Sequence, residues 1–360
     1  MNNNFFNWAV LVIAIVFTAC NKHDFPAQPK LTPAAGVYIV NEGGAGSNNA
    51  SLGFYDFGSS AYGGDIFQQQ NGIKLGDIAN DAIIYGGKMY IVVNNSGVLM
   101  ITSVATGKLI DSVSLKMADK SSMQPRNIIS HNGNVYVSTW FDGIKVIDTT
   151  TLKVKQTIAT RSGAEGMAIR NNNLYAALSG SYYTRYDSVV SVIGLPAGNL
   201  IKNVHVGFNP TGQVYVDNND NLFVYIYGEL DASYNPVNNG IVKVNMQNGQ
   251  IVKKIDEGFG KVLVKDNKIY ALGAWDGFTG IRQYDAHTMS LEKENFITDG
   301  TAIKRPYSIF IDDANGDVYV TDAKDYLTSG NVYVFDKTGK KKLSFATTGG
   351  IIPNIVLFKR

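Results

Sequence analysis

The last eight residues of the chain, 353–360, read "PNIVLFKR", a short apolar run with no strand after it to pair with. A terminal strand of this kind leaves a row of unpaired N–H and C=O groups unless another part of the chain lies beside it. The stretch "GVYIV" (36–40) has the complementary defect. It follows a polar, proline-containing segment directly, with no strand before it.

What lies between the two explains both. A short strand centred on an aromatic residue recurs at Tyr38, Tyr90, Tyr136, Tyr175, Phe223, Tyr270 and Tyr319, at intervals of 52, 46, 39, 48, 47 and 49 residues. Each copy after the first is preceded by an apolar strand and a tight turn, as in "DAIIYGG" and "RNIISHNG". Each is followed by a third strand with a polar turn, as in "IKVIDTTTLK", and then by a fourth such as "VKQTIAT". Four short antiparallel strands every 40 to 50 residues form the repeat of a β-propeller blade. The first copy lacks only its inner strand, and "PNIVLFKR" has the inner-strand pattern. The sequence therefore predicts an all-β fold: a seven-bladed β-propeller over 36–360, one domain, with four antiparallel strands per blade and the C-terminal strand completing the first blade. A linear solenoid of the same units would have no use for a blade split between the two ends.

Composition agrees. Glycine is high at 37, proline low at 9, tyrosine and phenylalanine together reach 37, and 17% of residues are charged, as expected for strands joined by many turns. The 32 basic and 30 acidic residues nearly cancel, which argues against a nucleic-acid partner. The single cysteine, Cys20, rules out an intramolecular disulfide and a cysteine metal site. It follows "WAVLVIAIVFTA" (8–19), a run suited to the h-region of an export signal, and "FTAC" resembles the lipobox of bacterial lipoproteins. The expected organisation is a lipoprotein signal peptide over 1–19, then a lipidated Cys20 and flexible tether over 20–35. The expected location is the outer membrane, facing the exterior, with the lipid anchor as the sole membrane contact. "NKHD" (21–24) partly resembles the signal that sends some lipoproteins to that face.

If strands are lettered A to D from the axis outward, the A–B and C–D turns fall on one face of the disc. The B–C loops and the D–A links between blades fall on the other. The A–B turns, such as "YGGK", "RNNN" and "KDNK", contain only what reversing the chain requires. The B–C loops contain much more: Trp140, Phe141, Tyr182, Tyr183, Tyr186, Tyr227, Tyr234, Trp275, Phe278 and Tyr326. Arg185 sits among the tyrosines, Arg126, Arg161, Lys304 and Arg305 enter from the D–A links, and Glu42, Glu229, Asp231, Asp276 and Asp325 oppose them. Rings on a rigid rim offer large contact area at small entropic cost, so these ten aromatics and Arg185 are the candidate ligand-binding residues. A rim of mixed charge suits an amphipathic or amide-rich ligand.

Signatures of chemistry are missing. No G-x-S-x-G elbow or P-loop occurs. His23 lies in the tether, while His131, His205 and His287 fall in turns or an outer strand away from the aromatic face. "DNNDN" (217–221) lacks the glycine and glutamate of a calcium loop. Asp56, Asp148, Asp285 and Asp336 recur after strand C, where an aspartate caps a turn. No catalytic residue, metal or cofactor is expected.

The strand texture and the opening "GVYIVNEGGAGSNNASLGFYD" resemble the YncE-like propellers, in particular surface lipoproteins encoded beside outer-membrane transporters. That resemblance implies capture of a nutrient, a corrinoid such as vitamin B12 or a ferric siderophore, and its delivery to a TonB-dependent transporter. The alternatives are a protein-interaction scaffold docking through the same face, or a propeller hydrolase or lactonase using rim carboxylates.

Overall fold

A computed structural model describes residues 31–181, 186–274 and 277–360. Cys20, Tyr182, Tyr183, Arg185, Trp275 and Asp276 lie outside the described residues, as do the leader and most of the tether.

From Gly36 onward the chain forms seven four-stranded antiparallel sheets. In the first, strand Pro353–Lys359 lies innermost and pairs with Gly36–Asn41, which pairs with Ser51–Asp56 and then Ala61–Gly63. The C-terminal strand thus closes the ring as its sequence requires. The other inner strands, A of blades 2 to 7, are Ala79–Tyr85, Pro125–His131, Ala164–Arg170, Pro210–Val216, Phe259–Lys265 and Pro306–Ile311. One helix, Ile66–Asn71, occupies the link from blade 1 to blade 2, and sequence reading had no signal for it. Its start is capped by Asp65, whose carboxylate accepts from the Gln68 N–H at 3.1 Å.

The turns follow from residue chemistry. In blades 2, 3, 4 and 6 the A–B connection is two residues long, and both central residues have positive φ: Gly86 and Gly87, Asn132 and Gly133, Asn171 and Asn172, Asp266 and Asn267. This is the geometry whose twist matches a hairpin, and Gly, Asn and Asp adopt it at least cost. The aspartates after strand C cap their turns as expected. Asp148 Oδ1 accepts from the N–H groups of Thr150 and Thr151, and Asp285, Asp336 and Asp56 do the same in their own blades. These bonds hold all four carboxyls below their ordinary range.

The core is divided into seven clusters, one at each boundary between neighbouring blades. The recurring aromatic of strand B always faces the next blade. Tyr38 packs with blade 2, Tyr90 with blade 3, Tyr136 with blade 4, Tyr175 with blade 5, Phe223 with blade 6, Tyr270 with blade 7 and Tyr319 with blade 1. Its sequence neighbours point the other way, as strand alternation demands: Val37 and Ile39 pack against blade 7.

Near the axis the blades touch through backbone. A Cβ placed on Gly166 would lie 1.5 Å from the Gly212 carbonyl oxygen of blade 5. Gly166→Ala should therefore force blades 4 and 5 apart and cost about 1–3 kcal/mol, or roughly 2–8 °C in thermal midpoint. Circular dichroism melting checks this, and an unchanged midpoint would contradict the contact.

Candidate functional site

The B–C loops and D–A links share the face from which the inner strands start, so the rim aromatics surround one end of the axial channel. In six of the seven blades the pairing of strands A and B slips register within the first residues of strand A, between Ala79 and Asp81, Pro125 and Ile128, Ala164 and Met167, Thr211 and Tyr215, Pro306 and Ser308, and, in blade 1, Val40 and Asn41. Such bulges re-aim side chains at the rims of closed sheets. Here they bring polar groups from different blades together at the channel mouth.

Glu165 is the best-held of these groups. Its buried carboxylate accepts from Trp140 Nε1 at 2.7 Å and from Arg126 Nε at 3.2 Å, and the Arg126 guanidinium lies 4.8 Å over the Trp140 ring. Blades 3 and 4 are thereby clamped with the indole in one orientation. On the opposite side, the Tyr307 hydroxyl donates to Glu42 at 2.6 Å. The Tyr307 ring meets Tyr326 edge-on at 6.0 Å, and Arg305 lies 5.6 Å over Tyr326. Asp81 accepts from Asn127 Nδ2, from the Ile128 N–H at 3.0 Å and from the Ala82 N–H at 2.9 Å. A belt continues through Asn354, which accepts from Ser308 Oγ at 3.0 Å and donates to the carbonyls of Ala79 and Asn80.

The candidate aromatics differ in how far they are engaged. Trp140, Tyr227 and Phe278 are committed to their surroundings, while Tyr326, though held by Arg305 and Tyr307, is still 40% exposed. Tyr227 packs on the core between blades 5 and 6, and Phe278 lies under the Arg282 guanidinium at 4.7 Å and against Gly280. Phe141, Tyr186 and Tyr234 are 52%, 40% and 82% exposed. Tyr234 stands at the tip of a two-stranded ribbon, Glu229–Leu230 with Pro236–Val237, that the sequence reading treated as plain loop. Phe208, from the D–A link between blades 4 and 5, is absent from the sequence candidates because those links were read for charge and only the B–C loops for aromatics. It is 40% exposed and its ring lies 6.2 Å from that of Tyr186. Phe141 walls an open hollow of about 510 Å³ with Met117, Ala118, Asp119 and Ser121.

Several rim charges are already engaged. Asp325 caps its own loop by accepting from Leu327 and Thr328 N–H groups, which pull its carboxyl down to about 2. Asp231 caps the ribbon turn through Ser233 and Asn235, and Arg161 pairs with Asp187 at 3.0 Å. The charges that matter lie deeper. Burial raises Glu42, while the Tyr307 hydroxyl, Lys261 and Arg126 pull it back. Burial pushes Asp81 up to about 6 against the backbone N–H bonds and the Lys261 charge that favour its ionised form. The residue as a whole is half-buried, so solvent moderates the penalty. Among the described residues no three His, Cys, Asp or Glu groups gather as a metal would need.

The signs of these shifts predict a pH profile. Asp81 and Glu42, raised in the folded state, add stability as pH falls from 7.5 through about 6. The turn aspartates, lowered in the folded state, withdraw theirs only once pH drops below about 4. Stability from urea titrations should thus peak between about pH 4 and 5, and Asp81→Asn should flatten the limb above the peak. A steady fall from pH 7.5 to 4 in the unmodified protein would contradict this assignment.

The propeller finds counterparts of fold in solved structures. A hypothetical selenium-binding protein from Sulfolobus tokodaii aligns at TM-score 0.65 and 11% identity, over 92% of this chain and 97% of that one. A quinonprotein alcohol dehydrogenase-like protein from Bacteroides thetaiotaomicron aligns at 0.63 and 16%, over 91% and 79%. BamB from Moraxella catarrhalis aligns at 0.53 and 15%, over 90% and 85%. At such identities the likeness is one of fold alone. No curated protein matches by sequence. The match that covers nearly all of the seven sheets is to a family model spanning residues 35–358, and the chain belongs to that family, described as Domain of unknown function (DUF5074).

Proposed function

We propose that the protein is a non-catalytic binding propeller that captures a sizeable amphipathic ligand on its B–C loop face. The observation that carries this reading is the set of exposed rings, Phe141, Tyr186, Phe208 and Tyr234, on the one face where the Glu165 clamp ties blades 3 and 4 together. Exposed rings on a fixed frame lose little entropy on binding, and each buried ring contributes roughly 1–3 kcal/mol. The proposed ligand is a corrinoid such as vitamin B12 or a ferric siderophore. Both have broad apolar surfaces with amide or catechol-type polar edges, which suits rings flanked by charges of both signs. Capture would be by equilibrium binding and hand-over to a TonB-dependent transporter, from a lipid anchor at Cys20 on the exterior of the outer membrane.

A second reading, docking of a protein partner through the same face, is favoured by Leu327 and Tyr234, which are 80% and 82% exposed at loop tips, where a small ligand near the axis would not cover both.

The test uses protein lacking residues 1–20. Cyanocobalamin or a ferric siderophore should bind at micromolar concentration by calorimetry. Phe141→Ala combined with Tyr186→Ala should weaken binding at least about tenfold and leave the melting midpoint nearly unchanged. Trp140→Ala should instead lower the midpoint, because it leaves Glu165 and Arg126 without their indole partner. If neither ligand class binds while a transporter's extracellular surface does, capture is wrong and docking stands.

A further inference from the structure

The link from strand D of blade 2 to strand A of blade 3 is folded into a small hairpin of its own. Lys116 bridges Ser122, the Met117 N–H donates to the Ser121 carbonyl at 2.8 Å, and Lys120 takes the tip with a φ of 70°. The base of the hairpin is tied to the B–C loop of blade 3. There the Trp140 N–H donates to the Gln124 carbonyl at 3.1 Å and the Phe141 N–H to the Met123 carbonyl at 3.3 Å. These bonds set the hairpin beside Phe141 and leave between them the hollow of about 510 Å³, walled by Met117, Ala118, Asp119, Ser121 and Phe141. Backbone hydrogen bonds thus frame the hollow before any ligand arrives, and its volume lies in the range of small-molecule sites. One charge lines it. Asp119 Oδ1 accepts from the Ser121 N–H at 2.9 Å and from the Ser121 hydroxyl at 2.5 Å, while Oδ2 has no hydrogen bond among the described residues. The cations nearby are turned away or paired. The Lys116 stem lies against Gly97 of blade 2, Lys120 stands exposed at the tip and off the walls, Lys145 is bound to Asp142 and Thr157, and Arg126 to Glu165.

We propose that this hollow is a subsite for a protonated amine carried by a small amphiphile, with the ligand's apolar body on Met117, Ala118 and Phe141 and its ammonium group paired with the Asp119 carboxylate. The Phe141 ring is 52% exposed and meets Trp140 edge-on at 6.4 Å, so it is a steadied apolar wall whose face also attracts a cation. Met117 is half-buried, and its flexible thioether can follow the outline of the bound group. An ammonium group brings only donors, and the carboxylate brings only acceptors. An anionic group would meet the carboxylate instead, and the Ser121 hydroxyl that could have donated to it is already given to Asp119. The bonds from Ser121 hold the Asp119 carboxyl below its ordinary range, which keeps it ionised at neutral pH. The inference rests on the loop face being a capture surface and adds the chemistry of one part of the ligand.

The probes are phenethylammonium chloride and 2-phenylethanol, which share a ring and chain and differ in charge, titrated calorimetrically into the full-length protein at neutral pH. The ammonium should bind about fivefold or more tighter than the alcohol, as one exposed carboxylate and one ring face together supply. Asp119→Asn keeps an oxygen for the Ser121 bonds, so it should make the two affinities equal and leave that of the alcohol unchanged. Phe141→Ala should weaken both probes. Absence of binding by both, equal binding of the two by the unmodified protein, or a preference for the ammonium that survives Asp119→Asn would overturn the proposal. Those results leave the capture reading to its own test with cyanocobalamin and ferric siderophores. Conversely, if those ligands fail while the ammonium preference holds and is lost in Asp119→Asn, the amine subsite stands and the named ligands fall.

Discussion

Each sheet in this protein is buried on both faces by its two neighbours, and the aromatic of strand B is the residue that makes the forward contact. Seven such contacts, from Tyr38 against blade 2 round to Tyr319 against blade 1, form a closed cycle. A four-stranded sheet of this size is too small to be stable alone, because it has no hydrophobic face that water does not reach. Stacked in a ring, every sheet gains two partners and no blade is terminal. The cycle also explains why strand B reads as a continuous apolar run: Val37 and Ile39 serve one boundary while Tyr38 and Val40 serve the other.

Closure imposes a second constraint at the axis, where seven inner strands converge and space is short. Gly166 meets the Gly212 carbonyl because no side chain fits between them. Elsewhere the inner strands relieve the crowding by slipping register as they begin, and the slipped residues are polar ones: Asn80, Asp81, Arg126, Asn127, Tyr307 and Asn354. Their hydrogen bonds run from blade to blade, through Ser308 to Asn354 to the Ala79 and Asn80 carbonyls, and through Met167 to Asn127 to Asp81. The same geometry that lets the ring close thus gathers polar groups at the channel mouth, where burial raises the Asp81 and Glu42 carboxyls above their ordinary range.

The rim is organised differently. Its rings range from those that hold the loops in place to those left open to solvent, with Tyr326 both engaged and 40% exposed, and the order follows local chemistry. Trp140 and Tyr326 have a guanidinium over one face and a further partner at the edge, a carboxylate for Trp140 and the Tyr307 ring for Tyr326, so their energy is spent in the folded protein. Phe141, Tyr186 and Tyr234 lack such partners in the described structure or have only one aromatic neighbour, and their surface is available to a ligand. A frame of engaged rings carrying a few free ones is a preorganised binding surface.

Sequence by itself determined the blade count, the strand order, the pairing of "PNIVLFKR" with "GVYIV", the turn-capping aspartates and the face on which the aromatics gather. All of these depend on residue type and spacing along a repeat, which are local properties read in one dimension. It also pointed to Phe141, Tyr186 and Tyr234 as rim residues, but had no means to separate them from Trp140 or Phe278, because that depends on Glu165 and Arg282 arriving from elsewhere in the chain. Phe208 was hidden in a short link, and its pairing with Tyr186 exists only once blades 4 and 5 are side by side. Asp81 is unremarkable in the linear pattern, an aspartate near the start of an apolar strand. Only ring closure sets it against Asn127 and Ile128 of the next blade, where burial and those hydrogen bonds, and not its place in the chain, decide what it can do.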